Sequence, residues 1–157
     1  AVYLSESTFI VANVGDSPIY MIRDNLIDLV SVIHNVESEK LELHPDWAEQ
    51  AGIQLGHLLT RAIGIYEGVD VDLSERDCRR GDIFVLCSDG LSDRVNPQEV
   101  LEISSRHSAR DTCRFLVNLA NERGGNDNIS VIVLKVKKVK QRKGRAFGFF
   151  PRMRGFL

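Results

Sequence analysis

Gly81 to Asp93 reads G-D-I-F-V-L-C-S-D-G-L-S-D. Ile83, Phe84, Val85, Leu86 and Cys87 form a short apolar run, β-branched and aromatic at its start and entered from a Gly-Asp turn. Such a run between turn signals predicts a strand buried on both faces. Polarity then flips. Ser88-Asp89-Gly90 puts a carboxylate at the carboxyl end of a core strand, beside a glycine that lets the backbone turn sharply. Two explanations of Asp89 are open at this point. It can cap the helix or turn that follows, or it can ligate a metal, which requires partners from elsewhere in the chain.

Two partners are available. Thr8 to Val14 (T-F-I-V-A-N-V) has strand composition and ends in Gly15-Asp16-Ser17. Gly124 to Ser130 (G-G-N-D-N-I-S) is a glycine turn carrying Asp127 just before a predicted strand, Ile129 to Val136. Asp16, Asp89 and Asp127 thus stand at the ends of three strand-like runs. If those ends are neighbours, the three form an all-oxygen cluster of the kind that magnesium or manganese prefers.

At 157 residues, 43% hydrophobic and 27% charged, the chain is long and apolar enough for one domain with a real core. No apolar run reaches the length of a membrane span, and the start carries no signal-peptide pattern. The N-terminus opens mid-pattern with Ala1-Val2-Tyr3-Leu4, which suits an excised fragment as well as a whole domain. Cys78, Cys87 and Cys113 lack C-x-x-C spacing and read as reduced residues of a cytoplasmic protein. His34, His44, His57 and His107 are scattered and read as ordinary surface or core histidines. Charge is uneven: 22 acidic and eleven basic residues precede Lys135, and nine basic residues with no acidic one follow from it. An acidic globular unit, residues 1–136, with a basic, aromatic-containing tail, 137–157, is the organisation this implies.

Residues 1–33 read as a meander forming one sheet: Val2 to Leu4, Thr8 to Val14, Ile19 to Ile22 and Leu26 to Ile33, with Asp24-Asn25 suited to a tight hairpin turn. Glu37 to Gly52 permits two short helices divided at Pro45. Leu58 to Ile65 is ambiguous between strand and turn, and its Arg61 reads as a snorkelling or paired surface arginine ahead of a phosphate contact. Val69 to Leu73 alternates as a half-exposed strand does. Asn96-Pro97-Gln98-Glu99 is a capping signature for a helix to about Ser104, with Val95 and Val100 as a staple. Ser108 opens a second helix, with Cys113, Leu116, Leu119 and Ala120 as its core stripe and Gly124-Gly125 as its stop. The fold class expected is α+β, antiparallel sheets covered by helices.

Four segments resemble successive motifs of the metal-dependent protein serine/threonine phosphatases, the type 2C family, in its bacterial form. They are V-G-D-S at Val14 to Ser17, L-T-R-A-I-G at Leu59 to Gly64, the stretch Gly81 to Asp93, and N-E-R-G-G-N-D-N-I-S-V at Asn121 to Val131. Their order and intervals match the family over roughly residues 8–136. The resemblance implies a β-sandwich flanked by helices, of which this chain would form a C-terminal part, with two or three manganese or magnesium ions at one edge of the complete domain. It implies that Asp89 and Asp127 hold one catalytic metal and that Asp16 with Asp89 holds a further one. It also implies hydrolysis of phosphoserine or phosphothreonine in a phosphoprotein substrate by an activated water, with no covalent enzyme intermediate.

The chain departs from that pattern. An arginine that holds the phosphate, an Asn-Gln-Asp segment and an Asp-Gly whose aspartate bridges the metals belong to the family but not to this sequence, where no Asp-Gly precedes Asp89-Gly90. Pro18 stands where the family usually has Arg. Two expectations follow: a phosphatase portion active only in the full domain, with the 157-residue chain inactive by itself, or a non-catalytic binding or regulatory module. Exposed sheet edges would favour self-association. The tail could sit on an anionic membrane surface, making the protein membrane-peripheral, bind nucleic acid without sequence specificity, or remain solvated.

Overall fold

The computed structural model describes residues 1–39 and 55–139; the expected helices within Glu37 to Gly52, from Lys40 on, and the tail beyond Val139 lie outside the described residues. Seven strands are described: β1 Val2–Leu4, β2 Thr8–Asn13, β3 Ile19–Arg23, β4 Leu26–Leu29, β5 Asp72–Asp77, β6 Ile83–Cys87 and β7 Val131–Lys135. A short helical turn, α1, covers Asp89–Ser92, and two longer helices follow, α2 Pro97–Arg106 and α3 Ala109–Glu122. The strands form a three-stranded sheet, β1-β2-β5, and a four-stranded sheet, β4-β3-β6-β7, with every pairing antiparallel. The α+β architecture expected from the sequence is therefore the one observed.

Alternation along the strands builds three layers. Phe9 and Val11 of β2 meet Ile19 and Met21 of β3 and Phe84 of β6 between the two sheets, where the Phe9 and Phe84 rings pack edge-on at 4.7 Å. Tyr20 and Ile22 of β3 and Val85 and Cys87 of β6 face the other way, onto Leu91, Val95, Val100, Leu101, Leu116 and Ala120 from the helical layer. Because β6 lies between β3 and β7 and carries core on both faces, its sequence is a continuous apolar run.

The single meander expected over residues 1–33 is corrected. β1 pairs with β2 and β3 with β4, but β2 and β3 belong to opposite sheets. Side-chain pattern cannot tell a hairpin from a crossover. What decides is burial: Ile19 to Ile22 are all buried, so β3 needs packing on both faces and takes a central place beside β6. Gly15, at φ 101°, turns the chain between the sheets. The hairpin between β3 and β4 does form at Asp24-Asn25, both with positive φ as its tight turn requires.

Two strand boundaries also move. The strand expected at Val69 to Leu73 is displaced to Asp72–Asp77, because β2 ends at Asn13 opposite Asp72 and offers Val69 and Val71 no ladder partner. The polar run Ser74-Glu75-Arg76-Asp77 is a strand through backbone pairing on a sheet edge, which composition does not reveal. Strand β4 stops at Leu29, short of the expected Ile33. Leu58 to Ile65 is loop, tied in by a bridge between Asn35 and Leu59.

The capping signals hold. Asn96 accepts from the Glu99 N–H while Glu99 accepts from the Asn96 N–H, and Ser108 accepts from the Asp111 N–H. Glu99 is further held by a bidentate pair with Arg123 (2.6 and 2.8 Å), which ties the start of α2 to the end of α3. No described helix is long and apolar enough to cross a membrane.

Removing the ring at the sheet interface, Phe84→Ala, should cost about 3–5 kcal/mol in urea unfolding, since the side chain is fully buried. The Arg123 guanidinium and then the Asn96 N–H lower the Glu99 carboxyl from its ordinary 4.5 to about 2. A depressed carboxylate stabilises fully above its unfolded value and stops doing so as pH falls through its folded value. Wild type should therefore melt slightly above Glu99→Gln at pH 6, and the gap should close between about 4.5 and 2. A gap that ignores pH would show the charge pair to be without effect.

Candidate metal centre

Strand register brings the aspartates to one rim. β3 pairs with β6 so that Ile19 lies opposite Leu86; Asp16 is three residues before the first and Asp89 three after the second. β6 pairs with β7 so that Cys87 lies opposite Val131; Asp127 is four residues before Val131. In antiparallel neighbours the end of one strand abuts the beginning of the next, so all three carboxylates emerge at the same edge of the four-stranded sheet.

Backbone contacts beyond the ladder lock this rim. The Ser88 N–H donates to the Ser130 carbonyl (3.1 Å), the Ser130 N–H donates to Ser88 Oγ (3.0 Å), and Ser88 Oγ donates to the Asn128 carbonyl (2.9 Å). Gly90 is a glycine because of this approach: a Cβ there would stand 2.6 Å from the Asn128 oxygen and 3.4 Å from Asp127 Cβ. Asp89 is the first residue of α1, following Ser88 at the cap, so it does not cap the helix itself. Its Oδ1 accepts from the Gly90 N–H (2.8 Å), as Asp127 Oδ1 does from the Asn128 N–H (2.6 Å). Among the described residues neither carboxylate is paired with an arginine.

Asp16 and Asp89 line one open cavity of about 880 Å³, together with Asp93, Arg94, His57 and Glu37. Asp127 stands beside Gly90 but outside that lining. Burial, and next the charge of Asp89 with a smaller part from Asp93, holds the Asp16 carboxyl above the ordinary carboxylate value. The smaller, carboxylate part of that shift is one that a cation in the cavity would relieve.

The donors fit a hard divalent cation in kind, being carboxylate oxygens on fixed elements. They fall short in number: among the described residues no three Asp, Glu, His or Cys side chains converge so as to hold an ion. Water and further protein groups would have to complete the coordination of magnesium or manganese here.

Sequence reading missed Asp93, His57, Arg94 and Glu37 of the cavity. Asp93 lies four residues after Asp89, a spacing that returns to the same side of a helical turn, and that signal was available. His57, 3.8 Å from Asp93 through Nε2, Arg94 and Glu37 carry no sequence signal of their own. Of the two surface readings of Arg61, snorkelling or paired, pairing is the one observed, with Asp72 (2.8 Å) and Glu39 (3.2 Å).

The profile of the family described as Protein phosphatase 2C matches residues 1–129. A putative protein phosphatase 2C-type of Streptococcus pyogenes is 32% identical over 136 residues, which is 85% of this chain and 55% of that protein. The solved Mycobacterium tuberculosis serine/threonine phosphatase PstP/Ppp superposes with a TM-score of 0.75 at 27% identity, over 87% of this chain and 58% of that one. The catalytic domain of PstP in complex with two manganese ions superposes with a TM-score of 0.69 at 28% identity, over 84% and 55%. The chain thus spans about half the length of the curated relatives it matches.

Gly90→Ala tests the close approach. It should lower stability by about 1–3 kcal/mol through forced displacement of the Asn128 carbonyl, and the backbone amide signals of residues 127–130 should shift more than those of α3. Unchanged melting and unchanged shifts would mean that the two turns do not touch in solution.

Proposed function

Because this chain belongs to the protein phosphatase 2C family, we propose that it supplies one part of a metal centre that hydrolyses phosphoserine and phosphothreonine esters in phosphoproteins. The observation that carries this reading is the shared rim: Asp16 and Asp89 in one cavity, with Asp127 packed against Gly90. Asp89 and Asp127 would hold one divalent ion, and Asp16 with Asp89 a second. Manganese or magnesium is the cation class that fits these donors, and a PstP structure contains two manganese ions.

Bound cations would supply positive charge for the ester's phosphoryl oxygens and a water of lowered pKa. The bond broken joins phosphorus to the serine or threonine oxygen; water supplies the new oxygen, and the products are inorganic phosphate and a free hydroxyl. The chain's own contribution is positional. Ser88 and Gly90 fix the backbone that presents Asp89, and the Ser88–Ser130 hydrogen bonds keep the Asp127 turn against it. Arg94, on the cavity wall, is a cation within reach of an anionic substrate. The three free thiols favour a reducing compartment such as the cytoplasm.

The second reading is that the 157-residue chain, taken alone, does not turn over substrate and acts as a non-catalytic binding or regulatory portion. In a manganese-dependent assay on a phosphothreonine peptide, the chain alone should release no phosphate above buffer. Turnover that Asp89→Ala abolishes would overturn that reading. In the same samples manganese should broaden the amide signals of residues 16, 89 and 127 before those of α3; indifference of all three would overturn the metal reading.

A further inference from the structure

His34 is completely buried, yet both of its ring nitrogens are engaged. The Gly15 N–H donates to His34 Nδ1 (3.1 Å), and the backbone N–H of His34 donates to the Gly15 carbonyl (3.0 Å). One residue thus grips both polar groups of the residue immediately before Asp16. The Asn13 side chain adds a donor to the same carbonyl (2.9 Å) and a second bond to the Val32 carbonyl (2.7 Å). Gly15 sits at φ 101°, a conformation that glycine adopts readily and other residues rarely do.

The chemistry of the ring fixes its state. A peptide N–H only donates, so Nδ1 must be the acceptor and the ring proton must be on Nε2, aimed at Asp72 Oδ2 at 2.8 Å. Asp72 is the first residue of β5, directly across from Asn13 in the ladder, and the same oxygen receives Arg61 Nη1 at 2.8 Å. Burial alone would raise the Asp72 carboxyl, but the hydrogen bonds from His34 and Arg61 bring it below its ordinary value. The carboxylate is therefore ionised at neutral pH and orients the imidazole.

We propose that His34 is a positioning residue of the metal centre: oriented by Asp72, it clamps Gly15 so that Asp16 is presented to the cavity it shares with Asp89. A carboxylate that orients an imidazole is the arrangement that commonly stands behind metal-ligating histidines. Here the imidazole holds the N–H of Gly15, the residue before the ligand, while the His34 main chain and Asn13 hold the carbonyl of the peptide joined to Asp16. This inference rests on the cation reading of Asp16 and Asp89.

Two substitutions separate the clamp from a merely stabilising role. In His34→Asn the side-chain oxygen can stand near Nδ1 and accept from Gly15, while the reach to Asp72 is lost. In His34→Gln the amide can reach Asp72, but nothing remains at Nδ1. Manganese chloride is titrated into the 157-residue chain, and the concentration that half-broadens the Asp16 and Asp127 amide signals is read, with melting temperature as the check on folding.

His34→Gln should raise the concentration needed at Asp16 by about 10- to 100-fold, the range found for groups that support metal ligands, and leave Asp127 within about threefold. His34→Asn should return Asp16 to within about threefold of wild type. Asp72→Asn, which keeps the imidazole but weakens its orienting partner, should fall between them and serves if His34→Gln does not fold. Equal response of Asp16 in wild type, His34→Gln and Asp72→Asn overturns the clamp, as does rescue by glutamine in place of asparagine. A wild-type chain whose residues 16, 89 and 127 all ignore manganese overturns the cation reading itself, and the clamp's role in it.

Discussion

The antiparallel register of β3, β6 and β7 is the constraint on which the rest depends. Ile19 opposite Leu86 and Cys87 opposite Val131 set three strand ends level, and the turns beyond those ends carry the three aspartates. A slip of one residue would turn Phe84 away from Phe9 and bring Val85 out of the helical core, so the register is specified by burial on both faces of β6. The placement of charge is thus fixed by apolar packing in the same strand. The site inherits its geometry from the core.

Crowded carboxylates oppose folding, and the structure offsets this locally. Asp16 is held above its usual pKa by burial and by neighbouring carboxylates, while Asp89 and Asp127 each accept from the following backbone N–H. The turns that present them are bound to each other through Ser88, Ser130 and Asn128. On the other side, His34, Asn13 and Asp72 hold the Gly15 turn and connect it to the three-stranded sheet. Both sheets therefore contribute to one rim. Partial neutralisation by cations would relieve what these hydrogen bonds now counter.

Much of this was legible beforehand. The run Ile83 to Cys87 declared a central strand because a segment buried on both faces has no polar alternation to show. Asn96-Pro97-Gln98-Glu99 and Ser108 declared two helix starts through side-chain chemistry that acts within four residues. The split of residues 1–33 between two sheets was not legible, because a turn of Gly15 to Pro18 is compatible with either a hairpin or a crossover. The edge strand Asp72–Asp77 was misplaced because its order comes from the β2 ladder and not from its own composition.

What the sequence by itself determined was the kind of chemistry: aspartates at three strand ends beside glycines, an α+β fold class, and the motifs of the protein phosphatase 2C family. Those features are local, written in spacings of a few residues. Only the tertiary structure decided that His57 and Glu37 share the cavity of Asp16 and Asp89, that Asp127 stands just outside it, and that His34 and Asp72, 38 residues apart, meet behind Gly15. Such contacts join residues whose separation along the chain carries no information about their distance in space. They are fixed by how two sheets and a helical layer exclude water together, and that is a property of the whole fold.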